Sequence, residues 1–168
     1  MSATQEDTPP LVENYPVVIK PCCGHGGANV TLIRNDEEYA KARQEIAPDE
    51  YVIQPLATTI GRDMRVYIIG NKPIAAVLRT ADGDFRSNFS LGGKVEAMTL
   101  SEEERTLISR VCEVFDFCLA GVDIMYHEGH AVINEIEDVV GCRMLYKTHP
   151  DIDVVPLYID HILKELRT

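Results

Sequence analysis

Carboxylates crowd one short stretch of the chain. Residues 121–141 read GVDIMYHEGHAVINEIEDVVG and carry Asp123, Glu135, Glu137 and Asp138. Val122, Ile124 and Tyr126 alternate with Asp123 and Met125, which is the period of a half-buried strand. His127-Glu128-Gly129-His130 reads as a tight turn, and Ala131 to Ile136 as the returning strand. Asp123 and Glu135 therefore fall on nearby rungs of one antiparallel hairpin, inside otherwise apolar strands. A carboxylate there is costly unless something compensates its charge. Two such groups side by side repel, and a bound cation is the economical compensation. Oxygen-only donors point to Mg2+ or Mn2+. The plainer alternative is a hairpin that turns these acids outward to solvent.

Two further groups could act with the acids. Lys20 ends the apolar run YPVVIK and leads into CCGHGGAN, which holds Gly24, Gly26 and Gly27. A second strand pattern, Asn29 to Ile33, follows directly. The glycines thus join strand to strand, which excludes both a Walker loop and a dinucleotide fingerprint, since each needs a helix after its glycines. Such a loop can still fold over phosphates and donate backbone N–H groups, with the Lys20 ammonium near them. The other group is Arg65, Arg79 and Arg86, with Asp63 and Asn88 beside them. Most arginines in an acidic protein are solvated surface groups. Together, however, the three groups supply what phosphoryl transfer needs: cations and backbone donors for a triphosphate, acids for a metal, and an arginine, Arg65 or Arg86, for the transferring charge. Cys22-Cys23 with His25 is a poor zinc site, because vicinal cysteines rarely chelate one ion and no second pair follows.

The elements that must position these residues are legible in order. Residues 1–14 read as a polar, acidic tail. Asn35 caps a helix with Glu38 three residues on, and that helix runs to about Ile46. Tyr51 to Pro55 is a strand whose end, Gln54 to Ala57, connects two lobes. Gly61-Arg62-Asp63 opens a strand to Ile69. Gly70-Asn71-Lys72-Pro73 turns the chain, and Ile74 to Arg79 returns. Thr80 to Gly93 is too hydrophilic for a core. Ser101 with Glu104 caps a helix whose apolar face is expected at Leu107, Ile108, Val111, Val114 and Phe115. A last helix, about Asp153 to Leu166, is expected to turn Val155, Ile159, Ile162, Leu163 and Leu166 inward.

Composition narrows the function. The 168 residues suit one domain or two small lobes. No apolar run reaches the roughly 18 residues of a membrane span. Sixteen basic against 27 acidic residues give a net charge of −11, which argues against nucleic acid as a partner. Five cysteines without framework spacing, and no leader at the start, are expected as reduced thiols of a cytoplasmic protein.

The motifs PVVIKP with GHGGANV, GRDMRVYIIGNKPIAAVLR, GDFRSNFSLGG, and AGVDIM with INEIED resemble the ATP-grasp superfamily, and within it the RimK-like amino-acid (glutamate) ligases. The resemblance runs from about Tyr15 to Met144 and implies an α+β ATP-grasp fold, two α+β lobes with ATP between them. Residues 15–57 would form the N-terminal lobe and 58–168 the C-terminal one. By this resemblance Lys20, the glycine hairpin, Arg86 and Asn88 meet ATP phosphates. The strand end Gln54, Pro55 and Leu56 meets adenine, and Asp63 lies by the nucleotide. Asp123, Glu135 and Glu137 stand at the metal positions. Enzymes of this kind activate a carboxylate as an acylphosphate that an amine attacks, so the partners expected are ATP and a small carboxylate or an amino-acid or peptide acceptor.

Two departures bear on this expectation. Glu137 stands where the family usually has asparagine, and Asp138-Val139-Val140-Gly141 replaces the usual proline-glycine turn. Only fourteen residues precede Tyr15, so the family's N-terminal substrate domain is expected to be missing, with a separate domain, a partner chain or a homo-oligomer in its place. The competing expectations are a nucleotide-binding module without ligase activity and a kinase on the same fold.

Overall fold

The computed structural model describes residues 14–22, 29–45, 51–83, 85 and 93–167. The chain divides into two compact units, Met1–Leu56 and Ala57–Thr168. Among the described residues no helix is long and apolar enough to cross a membrane.

The first unit is a three-stranded antiparallel sheet in the order β2-β1-β3, from β1 (Val17–Pro21), β2 (Thr31–Ile33) and β3 (Tyr51–Pro55). Helix α1 (Asp36–Glu45) covers one face. Val17 and Ile19, two residues apart and so on one side of β1, pack with Ile33, Tyr39 and Ala42. The Asn35 side chain caps α1 by accepting from the Glu38 N–H at 2.9 Å. Glu38 reaches back one residue further than a capping box requires, accepting from the Arg34 N–H at 2.8 Å.

The second unit is a five-stranded antiparallel sheet, β6-β5-β4-β7-β8. Its strands are β4 (Arg62–Ile69), β5 (Lys72–Thr80), β6 (Lys94–Met98), β7 (Leu119–His127) and β8 (His130–Glu137). Two-residue turns close its hairpins. Gly70 and Asn71 take φ of 55° and 57°, and Glu128 and Gly129 take 52° and 85°, the left-handed pairs that match the twist of flanking strands. Gly70 is also a close approach, since a Cβ there would lie 2.6 Å from His161 Nδ1.

Alternation along the strands divides the sheet into two faces. Met64, Val66, Ile68, Ala76, Leu78, Val122 and Ile124 form one apolar face under α2 (Glu102–Val114). Tyr67, Ile69 and Val77 lie on the other, under α3 (Arg143–Thr148) and the start of α4 (Val154–Glu165). The Ser101–Glu104 capping box closes as its sequence requires, with bonds of 2.7 and 3.3 Å.

Several expectations need correction. Strand β5 starts at Lys72, not at Ile74, because a bulge at Ile74 admits Pro73 where β6 does not pair. Strand β6 and helix α3 were not anticipated; one is a largely exposed edge and the other a short turn of helix, and neither carries a periodic apolar stripe. In α2, Ile108 points inward, but Val114 is 75% exposed and Phe115 half exposed. Phe117, beyond the helix, fills the core instead. In α4 the inward residues are Val154 and, in part, Tyr158, whereas Val155, Ile159, Leu163 and Leu166 are exposed.

This packing has a direct consequence for stability. Ile108→Ala should cost about 2–5 kcal/mol in urea unfolding through the cavity it leaves. Val114→Ala should change stability by less than about 0.5 kcal/mol. Equal losses at the two positions would contradict the orientation of α2.

Candidate active site

One end of the sheet face that carries Tyr67 is charged rather than apolar. Asp63 and Arg65 precede Tyr67 on β4 at two-residue steps and share its face. Register brings the partners alongside: Asp63 pairs with Arg79 of β5, Arg65 with Asp123 of β7, and Asp123 with Glu135 of β8.

The last pairing depends on a bulge. From the turn, His127 pairs with His130 and Ile124 with Ile133, but Asp123 pairs with Glu135, so Asn134 is an extra residue. Without it, strict alternation would carry Glu135 and Glu137 to the apolar face. With it, Ile133 and Ile136, three residues apart, both reach the α2 core. The acids join Asp123 on the opposite side. That odd spacing of isoleucines was the one trace of the bulge in the sequence.

The charged groups close into a chain. Asp123 is buried at 1% exposure. Arg65 Nε donates to its Oδ1 at 2.7 Å and Nη2 to its Oδ2 at 2.8 Å, a two-pronged pair. Arg79 Nη2 donates to the same Oδ2 at 2.6 Å. Arg79 also grips both oxygens of Asp63, at 2.6 and 2.5 Å. At the other end Arg65 Nη1 forms an ion pair with Glu137 Oε2. Gly121, the rung partner of Glu137, leaves room for this reach, because a Cβ there would lie 3.3 Å from Arg65 Cδ and 2.7 Å from Val140 Cγ2. The Tyr67 hydroxyl donates to the Gly141 carbonyl at 3.1 Å and ties down the segment after Glu137.

Electrostatics follow from this geometry. Burial pushes the Asp123 carboxyl up, but the Arg65 hydrogen bonds and the two guanidinium charges outweigh burial and hold it below the usual carboxylate range. Burial likewise opposes the charge on Arg79, and its bonds to Asp63 and the charge of Asp123 reverse that effect, so Arg79 stays protonated. Among the described strand residues of this face, the carboxylates of Asp63, Asp123, Glu135 and Glu137 outnumber the guanidiniums of Arg65 and Arg79. The Glu137 Oε2 atom is buried and, despite its ion pair, accepts no well-directed hydrogen bond. Hard oxygen donors and more carboxylates than guanidiniums are donor chemistry that suits a divalent cation. Among the described residues, however, no three His, Cys, Asp or Glu side chains are gathered around a point that would hold one. Both Asp123 oxygens face guanidiniums, and Glu135 is exposed.

In the first unit Lys20 and Gln54 share the sheet face opposite α1. They flank the Val18↔Gln54 and Lys20↔Val52 rungs, while Val17, Ile19 and Ile53 point toward the helix. Pro55 ends β3, and the Leu56 N–H donates to the Pro16 carbonyl at 3.4 Å. Gly24, Gly26, Gly27, Arg86 and Asn88 lie outside the described residues. Arg79, singled out in the sequence only as one of three arginines, proves to be the group that joins Asp63 to Asp123.

Asp123→Asn removes the charge that two buried guanidiniums share. It should cost about 3–5 kcal/mol of stability in denaturant unfolding. A loss below about 1 kcal/mol would show that the network is open to solvent.

The family model for the RimK-like ATP-grasp domain matches residues 1–162. An uncharacterized protein of Mycoplasma pneumoniae, an MG011 homolog, is 30% identical over 161 residues, 95% of this chain and 56% of that protein. A probable alpha-L-glutamate ligase 2 of Hahella chejuensis is 30% identical over 159 residues, 92% of this chain and 52% of its own length. The chain thus spans about half the length of these relatives. Among solved structures, the ATP-grasp ligase PsnB complexed with minimal precursor, Mg and ADP superposes with a TM-score of 0.65 at 22% identity, over 88% of this chain and 46% of that one, which shows the fold. The charged sheet face therefore stands in an ATP-grasp fold, and the chain belongs to the RimK-like ATP-grasp family.

Proposed function

We infer that this chain is the ATP-grasp portion of a ligase that joins a carboxylate to an amine at the expense of ATP, with a divalent cation bound. The family match over residues 1–162 carries the reading. The charged face of the second unit supports it, because a surplus of carboxylates beside fixed guanidiniums is what a metal-bridged polyphosphate requires. Lys20 with Gly24, Gly26 and Gly27 would hold phosphates, together with Arg86 and Asn88. Gln54, Pro55 and Leu56 would meet the base. Asp123, Glu135 and Glu137 would hold Mg2+ or Mn2+, which when bound neutralises phosphate charge. Arg65 or Arg86 would face the transferring phosphoryl group. The reaction makes an acylphosphate from the acid, and the amine displaces phosphate. The probable glutamate ligase relative and the precursor-bound neighbour support an amino-acid or peptide acceptor. A separate substrate domain or partner chain would choose it.

One observation favours a second reading, a nucleotide-binding module without turnover. Asp123 is wrapped by Arg65 and Arg79, and Glu137 is held by Arg65. Phosphate release that requires an amine acceptor supports the ligase, and tight binding without release supports the module.

Calorimetry tests the site itself. Glu135→Gln, at an exposed position, should weaken Mg2+–ATP by about 1.5–3 kcal/mol, roughly ten- to a hundredfold. Unchanged affinity would remove Glu135 from the cation's ligands. Lys20→Ala should weaken ATP more than adenosine, which has no phosphate to lose. Glu137→Asn should make nucleotide affinity depend less steeply on Mg2+, since the carboxylate beside a triphosphate repels it unless a cation lies between. Superimposable curves would leave Glu137 as a partner of Arg65 alone.

A further inference from the structure

We propose that Arg79 is a positioning residue for Asp123, and that Asp63 acts on the site through Arg79 rather than by touching the nucleotide. The proposal rests on the reading of Asp123 as a cation ligand. A carboxylate offers about four lone-pair sites, two on each oxygen. Oδ2 of Asp123 accepts from both Arg65 and Arg79, so its sites are filled. Among the described residues Oδ1 accepts from Arg65 alone and keeps one site. Arg79 thus decides which oxygen of Asp123 is available and fixes the plane of the carboxylate.

Arg79 can do this because it is itself buried and held by a two-pronged bond. It is 3% exposed, and Nε and Nη2 are both bonded to Asp63, which is also buried. Each oxygen of Asp63 accepts one bond from that guanidinium, and the residue is 6% exposed, which keeps its carboxylate from a ligand outside. The two carboxylates sit on different strands, β4 and β7, and Arg79 reaches both from β5, the far neighbour of β4. No single hydrogen bond along one strand pair could lock them together. A lysine in its place would keep the charge but not the fork that grips two carboxylates at once.

The test uses the full chain with Asp63→Asn, Arg79→Lys and Arg79→Gln. ATP affinity is titrated against Mg2+, and adenosine affinity is measured without metal. Partners that orient a ligating carboxylate typically change metal affinity by about 10- to 100-fold when lost. Arg79→Gln and Asp63→Asn should therefore raise the Mg2+ concentration needed for ATP by that factor and leave adenosine binding unchanged, with Arg79→Lys between them and wild type. Adenosine binding lost in Asp63→Asn at an unaltered Mg2+ requirement would overturn the proposal, for Asp63 would then touch the nucleotide. Loss of adenosine binding and of cooperative unfolding together in both Arg79 variants would also overturn it, as a purely structural role. A second readout needs no metal: the Nε–H NMR resonance of Arg65, which sees Asp123 directly. It should move in Asp63→Asn, three links away, and an unmoved resonance would refute the linkage. If wild type shows no Mg2+ dependence at all, the functional reading fails, and the Arg65 resonance still decides whether Arg79 holds Asp123.

Discussion

The second unit is organised around the burial of one carboxylate between two guanidiniums. Taking Asp123 out of water is unfavourable by several kcal/mol unless its lone pairs are filled by directed donors. Arg65 and Arg79 fill three of them. Each guanidinium then carries a charge that must be shared with a further acid, which Glu137 and Asp63 supply. The result is an alternating chain, Glu137–Arg65–Asp123–Arg79–Asp63, that runs across four strands. It ties β5, β4, β7 and β8 in one register, since a slip of one residue would turn every member to the opposite face. Apolar residues of the same volume would often give equal or greater stability at such a place.

The chain of charges shares its sheet face with an apolar cluster, and the boundary between them falls at Tyr67. Beyond it Ile69, Val77, Met144 and Leu145 pack in the ordinary way. Tyr67 belongs to both regions: its ring is in the core, and its hydroxyl bonds the segment that follows Glu137. Burial pushes this phenol up to about 12, so it remains a donor at any physiological pH. The opposite face carries the apolar cluster under α2, and the bulge at Asn134 keeps acids out of it by sending Ile133 and Ile136 one way and Glu135 and Glu137 the other. One inserted residue thus separates hydrophobic burial from chemistry within a single strand.

The first unit reaches a similar separation more simply. A three-stranded sheet has one face under α1 and the other free of it, and alternation alone puts Lys20 and Gln54 on that second face. The cap at Asn35 is a local device, which is why the sequence predicts it well.

Local sequence determined a good deal of this protein. The turn residues Gly70-Asn71 and Glu128-Gly129, the Ser101–Glu104 box, the strand pattern of β4 and the hairpin of Asp123 and Glu135 all rest on interactions within a few residues, and all stand in the structure. The motifs also sufficed to suggest the family. Tertiary structure alone decided what the acids touch. Arg65 lies 58 residues from Asp123 and Arg79 lies 44, so no local pattern specifies that pairing. It likewise decided which apolar residues of α2 and α4 face inward, leaving Val114 and Val155 in solvent. The physical reason is the same in each case. Periodicity states which side chains share a face of their own element, but the partner laid against that face is chosen by how the sheet is assembled, and burial, charge pairing and orientation follow from the partner.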